Sequence, residues 1–502
     1  MVKRLHLKSN ARFRSRALAI FAAIVACTFP ARAQDDFEAR LKTIVDAYAA
    51  VELNAADPVT PDQALYQGAI PGLLRNLDPH SVFFTPDQMQ QLKSMETSTR
   101  KGFGSVVSIL PGRVIVLQTL PGTPSAKAGL SPGEDIVAVN GYEIARLDLD
   151  QITELLTETR QREAVLFVRQ PGESRLRQVK LVPEELQESS VDRTFFVGAG
   201  IGYVRISSFE EPTPKELKDA IEKLGGQKLR GLVLDLRDNP GGVFEAGLQV
   251  ASMFLPAGAE IVSVNGRNVP ERAINVPEGG TPYRFKLALL MNGKSASASE
   301  IVAGAMQDHD RATILGEPSF GKGLVQSVFP LSEGTGIALT TALYYTPSGR
   351  SIQKPLDASK FELAGATSGA NSSKTYHTDK GRVVAGGGGI APDYVVYPAR
   401  MSRFREALEA SASFTGFATE LTAKEKVTSD FEITPAMLDQ FKVYLSARGI
   451  QPGMNEWTAE REFITNRLLT EVFNQTVGVA KGDEVGSQRD PVIQKAVEIL
   501  GS

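Results

Sequence analysis

A chain of 502 residues with 42% hydrophobic side chains has material for several buried cores, which excludes a disordered or fibrous protein. Its 55 basic and 58 acidic side chains nearly cancel, which argues against nucleic acid as a partner. A single cysteine excludes a disulfide framework.

Lys3, Arg4, Lys8, Arg12, Arg14 and Arg16 precede an apolar run over 17–29, and Ala31-Arg32-Ala33 supplies an A-x-A cleavage site before Gln34. Residues 1–33 therefore read as a secretory signal peptide, which implies a periplasmic or cell-envelope protein. The run is short for a membrane span, and no other stretch approaches that length. Cys27 after Ile24-Val25-Ala26 carries the competing reading, a lipoprotein box that would leave a lipid anchor. Removing the leader takes seven basic and no acidic residues, so 48 basic face 58 acidic side chains, a net of about −10.

Phe37, Leu41, Ile44, Val45, Tyr48 and Val51 recur at three- and four-residue spacing, so residues 34–100 are expected to form a helical arm. Leu77-Asp78-Pro79-His80-Ser81 predicts a turn, in which a histidine beside proline is structural rather than a ligand. Residues 101–186 pattern as a small β domain. Gly102, Phe103, Gly104, Ser105 and Val106 read as a glycine-containing loop entering a strand, Ser125 to Leu130 as a short helix, and Asn140-Gly141 as a hairpin turn. With a helix over 149–157, the segment resembles a PDZ domain, which holds a peptide by strand addition and its carboxylate on backbone amides. The alternative is a small β domain with an occluded groove.

From Gly202 the pattern alternates: strand 203–209, helix 214–224, strand 231–236, helix 243–254, strands near Glu260 and Lys286, then an apolar helix. This alternation predicts an α/β layered domain, residues 187–400. Arg237-Asp238-Asn239-Pro240-Gly241-Gly242 would follow the carboxyl end of a strand, where sites collect in α/β folds. Ser297-Ala298-Ser299-Glu300 fits a capping box, which places Ser297 at a helix N-cap beside free amides suited to an oxyanion.

A serine hydroxyl needs a base. The chain has four histidines, and His309 would close the same helix about 18 Å along its axis from Ser297. A serine–histidine pair is thus poorly supplied, and Lys322 is the better base. Gly316 to Lys322 also satisfies the start of a phosphate loop, but Gly323 stands where the magnesium-ligating hydroxyl should be. Residues 354–382 read as a polar loop and the last hundred, 401–502, as a helical extension.

The segments VLDLRDNPGG, SASASE, GEPSFGKG, YYTPSGRSIQ and GGGGIAPD, in this order with a PDZ-like stretch upstream of them all, resemble the C-terminal processing peptidases, also called tail-specific proteases. The resemblance implies a crotonase/ClpP-like layered core, Ser297 as nucleophile, Lys322 as general base and Gln326 as the group that orients the lysine. It implies an oxyanion hole from Ala298 and one of Gly241 and Gly242, no cofactor and no metal. Partners would be proteins or peptides with free C-termini, and the helical arm would serve self-association or capping. The expected activity is an exported serine endopeptidase that cuts proteins near their C-termini through an acyl-enzyme. The competing readings are an inactive PDZ adaptor, and acyl-CoA chemistry on the crotonase-like fold, which export disfavours.

Overall fold

A computed structural model describes residues 31–502 apart from 79, 97–98, 161, 171–172, 188, 355–374 and 399–400. The leader expected over 1–33, with Cys27, lies almost wholly outside the described residues, as does most of the loop expected over 354–382. The chain divides between Thr85 and Pro86 into two compact units.

In the first unit the amphipathic spacing forms one long helix, α1 (Ala31–Asn54), followed by shorter helical turns (Pro61–Ala64 and Ile70–Arg75). The helical pattern expected over 34–100 is interrupted at Asp57-Pro58, where proline removes a donor and restricts the residue before it. The turn after it is held by Asp78, whose carboxylate accepts from the amides of His80 at 2.7 Å and Ser81 at 2.8 Å.

The second unit begins with α2 (Pro86–Glu96). Five antiparallel strands follow, β1 (Ser105–Leu110), β2 (Arg113–Thr119), β3 (Asp135–Val139), β4 (Ala164–Arg169) and β5 (Leu176–Leu181). Helix α3 (Leu149–Thr159) starts on a capping box between Asp148 and Gln151 and turns Ile152 into the sheet's core, beside Val114, Val139 and Leu166. It packs next to β1. This is the PDZ architecture that the sequence predicts.

The α/β core is built on a sheet of β6 (Val191–Gly198), β7 (Ile201–Ile206), β8 (Gly231–Asp235), β11 (Lys286–Met291), β12 (Thr313–Gly316) and β17 (Tyr394–Val395), parallel except for the β6–β7 hairpin. Alternation of side chains across a strand decides what covers each face. Leu232, Leu234, Leu287, Leu289 and Ile314 point to one face, under α4 (Thr213–Lys223), α5 (Phe244–Ser252) and α6 (Ala298–Asp308). Val233, Ala288, Leu290 and Leu315 point to the other. A parallel sheet apolar on both faces must be covered on both, and the second cover comes from the last helix of the chain, described below.

Four antiparallel strands, β9 (Glu260–Gly266), β10 (Val269–Asn275), β13 (Leu324–Pro330) and β14 (Gly336–Tyr345), form a second sheet beside α6. The described end of the polar loop is a hairpin, β15 (Tyr376–His377) with β16 (Val383–Val384). It is clipped to the end of α6 by Asp379 N to Asp308 O at 2.8 Å and by Arg382 to Asp310 and Asp393, each at 2.5 Å.

The helical extension contains α7 (Arg403–Ala410), α8 (Ser413–Thr422), α9 (Pro435–Ser446) and α10 (Met454–Thr476), joined by a cluster that includes Phe404, Phe414, Phe417, Phe441, Tyr444 and Trp457. After α11 (Val479–Ser487), helix α12 (Pro491–Gly501) lays Val492, Ile493, Ala496 and Leu500 on the open face of the parallel sheet. Among the described residues no helix is long and apolar enough to cross a membrane.

Candidate active site

The strand–turn–helix around Ser297 is tight. After β11, Ser295 donates to Leu236 O at 2.7 Å, Ala296 N donates to Asn239 O at 3.0 Å, and Ser299 donates to the same carbonyl at 3.1 Å. Ser295 and Ser299 are fully buried, whereas Ser297 between them is partly open. Ser297 has φ 55° and ψ −115°, a conformation that side-chain-bearing residues rarely adopt and that recurs where a nucleophile is held on a sharp strand-to-helix turn.

The capping-box spacing is used: Glu300 returns to accept from Ser297 N at 2.9 Å, although Ser297 takes a positive φ in place of the extended backbone usual at an N-cap.

Glu300 does more than the box requires. Its fully buried carboxylate also accepts from Ser319 Oγ at 2.5 Å, Gly321 N at 2.7 Å and Lys322 N at 2.9 Å. One carboxylate therefore fixes the backbone of Ser297 and of Lys322 together. Burial pushes its pKa up, and the four donors pull it back. Tyr344, on β14, adds a second pin: its hydroxyl donates to Lys322 O at 2.5 Å and stands 3.1 Å from Ser297 O.

Lys322 is half-buried, and burial lowers its pKa, opposed in part by the Glu300 charge. The turn around it is held by Gln353, which accepts from Gly323 N at 2.8 Å, and by Lys354 N donating to Gly321 O at 3.1 Å. Gln326 follows on β13, directly past the bulge where pairing with β14 shifts between Val325 and Gln326. Bulges of this kind re-aim a side chain.

The loop over 236–242 meets the same place. Gly241 has φ 97°, and a methyl group on it would lie 2.8 Å from Ser297 Cβ and 3.0 Å from Ala298 N, so only glycine allows the approach. Fully buried Asn239 shapes the loop, donating to Ile206 O at 2.9 Å and accepting from Gly241 N at 2.8 Å. The Gly241 amide is thus already engaged. Among the described residues the amides of Gly242 and Ala298 have no acceptor.

The structure brings Ser297, Ala298, Lys322 and the Gly241-Gly242 loop together. Gly102 to Val106 lie elsewhere, in the PDZ domain, where Ser105 opens β1 and Gly104 takes φ 73°. His309 is remote from Ser297, at the far end of α6, held by Asp379 at 2.8 Å and by Glu260 O at 2.7 Å. His309→Ala should therefore keep cleavage within about threefold of the parent in a steady-state assay, since it removes a strut and no reacting group. Sequence reasoning saw Glu300 only as a cap and did not single out Tyr344 or Asn239. The capping-box spacing was the one local signal for any of them. Among the described residues no group of His, Cys, Asp and Glu could hold a metal.

Known proteins bear on this arrangement. Residues 200–358 match the model of peptidase family S41, and residues 91–168 that of the PDZ domain. The chain is 38% identical over 300 residues to the carboxy-terminal-processing protease of Bartonella bacilliformis, covering 59% of this chain and 68% of that protein. It is 35% identical over 292 residues to the carboxyl-terminal-processing protease of Synechocystis sp., covering 57% and 68%. Among solved structures, the photosystem II D1 C-terminal processing protease aligns at 26% identity and a TM-score of 0.40, over 70% of this chain and 92% of that one. The chain belongs to the carboxyl-terminal-processing proteases of peptidase family S41, serine proteases that here carry a PDZ domain.

Proposed function

We propose that this protease is exported and cuts proteins near their C-termini with Ser297 as nucleophile and Lys322 as general base. The observation that carries the reading is the single Glu300 carboxylate that accepts from the backbone of both residues. Uncharged Lys322 Nζ takes the Ser297 proton as Oγ attacks the peptide carbonyl. The C–N bond then breaks as the same proton passes to the leaving amine, and water hydrolyses the acyl-enzyme with Lys322 again as base. Gln326 orients the lysine. The developing oxyanion is held by the amides of Ala298 and Gly242; Gly241 is the weaker candidate, because its N–H already serves Asn239. The leader over 1–33 would deliver the enzyme to the periplasm or cell envelope.

Substrates would be selected by the PDZ domain, with the loop of Gly102, Phe103, Gly104, Ser105 and Val106 receiving the terminal carboxylate and the groove between β1 and α3 the last side chains. Two model substrates of one sequence, one ending in a free acid and one in an amide, test this. The free acid should be cut on the order of tenfold faster, the difference lying in KM. Equal rates would remove the PDZ domain from recognition, while loss of both cleavages in Ser297→Ala would still stand as evidence for the serine mechanism.

A further inference from the structure

The loop over 236–242 is gripped by the far end of the chain. Arg237 Nε lies 3.0 and 2.9 Å from the two carboxylate oxygens of Asp235, and Nη2 lies 2.6 Å from Oδ2. Asp235 is buried and also accepts from the Tyr203 hydroxyl at 2.8 Å. The remaining Nη1 of Arg237 reaches Asp490 Oδ2 at 2.6 Å.

Asp490 is the N-cap of α12, and its other oxygen accepts from Val492 N at 2.9 Å and Ile493 N at 3.1 Å. One carboxylate therefore divides its two oxygens between the start of a helix and the guanidinium of the loop. The helix cannot slide. Its apolar side chains are buried against Tyr203, Val233 and Leu290, and Gly231 comes so near that a methyl group there would lie 3.2 Å from Leu500 Cβ. On its other side the loop is tied to the turn before Ser297, through Asp238 N to Asn292 Oδ1 at 3.0 Å and Asn292 Nδ2 to Asp238 Oδ1 at 3.1 Å. Gly241 and Gly242 follow these anchors in the same loop, both at positive φ.

We propose that Asp490, acting through Arg237, is a positioning residue for the oxyanion loop, so that the last helix of the extension belongs to the catalytic apparatus. The inference rests on the serine mechanism above. Oxyanion amides accelerate a reaction only if they are placed before the charge develops, and misplacement by a fraction of an ångström is felt in the transition state rather than in substrate binding.

The test uses the full chain carrying Asp490→Asn, because asparagine caps a helix as well as aspartate and only the charge facing Arg237 is lost. Asp490→Ser is the second uncharged cap, and Asp490→Glu restores the charge. Each is measured for kcat, KM, inhibition by a peptide aldehyde, whose hemiacetal places an oxygen in the oxyanion hole, and inhibition by the matching product peptide. For Asn and Ser, kcat should fall on the order of tenfold with KM unchanged, and the aldehyde should weaken by the same factor while the product peptide does not. Asp490→Glu should recover most of kcat. A kcat within about twofold of the parent for Asn and Ser overturns the proposal, and so does equal weakening of aldehyde and product, or a loss that only follows the unfolded fraction. If the aldehyde fails to inhibit the parent enzyme, it is the serine mechanism that falls, whatever residue 490 does.

Discussion

Replacing either Ser297 or Lys322 by alanine is expected to lower kcat by about 10^4- to 10^6-fold while the protein stays folded. Without Ser297 no acyl-enzyme forms, and without Lys322 nothing takes the hydroxyl proton. The two flanking serines give the contrast. Ser295 and Ser299 are fully buried, and each spends its hydroxyl on a backbone carbonyl, of Leu236 and Asn239 respectively. Ser295→Ala and Ser299→Ala should therefore cost about 1–3 kcal/mol of stability each and leave most of the cleavage. Rates on a peptide substrate, read beside thermal melts, check all four. A Lys322→Ala enzyme that keeps a tenth or so of its kcat would remove lysine from the base's role.

The second large effect is expected at Glu300. Its two oxygens accept four hydrogen bonds, from Ser297 N, Ser319 Oγ, Gly321 N and Lys322 N. A glutamine keeps one oxygen and turns an amide NH2 toward donors, so at least two buried donors lose their acceptor. At about 1–3 kcal/mol each, Glu300→Gln should lose about 2–6 kcal/mol of stability. Ser297 and Lys322 would also no longer be referenced to one group, and kcat should fall about 100-fold or more in the fraction that folds. Because the Glu300 charge opposes the lowering of the Lys322 pKa, the acid limb of the pH–rate profile should move to lower pH. A purely structural carboxylate would lower stability without moving that limb.

These two residues show where sequence reading stops. The parallel core was legible because its strands and helices alternate and because Leu232 to Leu234 and Leu287 to Leu290 are apolar on consecutive positions, the mark of strands covered on both faces. Ser297 and Lys322 were legible from their motifs. Glu300 was visible only as a cap, since local spacing reports the bond to Ser297 N and is blind to three donors that arrive from a loop about twenty residues on. Tyr344 and Asn239 act through backbone carbonyls and amides brought in by tertiary packing, which no periodicity encodes. The same holds for α12. Its apolar stripe predicts a helix that packs, but not that it packs on the face of the sheet left open by α4, α5 and α6. The polar stretch after Lys354 concealed a hairpin because its strands are two residues each and held by charge at the helix end rather than by an apolar pattern.

The proposed chemistry makes Lys322 a titration switch, and the sign follows from burial. A lysine with a depressed folded pKa binds fewer protons in the native than in the unfolded state between the folded pKa and the unfolded value near ~10.4. Native stability therefore declines as pH falls through that window, and the full cost is present below the folded pKa. The stability advantage of Lys322→Met over the parent should be largest on the acid side and vanish above the unfolded value.

Activity should follow the same proton, since only the uncharged amine can accept from Ser297. The direct measurement is the pre-steady-state acylation rate of the parent enzyme between about pH 5 and 9, on a substrate without ionisable groups near the cleaved bond. The account predicts a low rate at the acid end that rises along a single titration, and a rise displaced to lower pH in Glu300→Gln. A rate that is flat across the range would contradict Lys322 as the base.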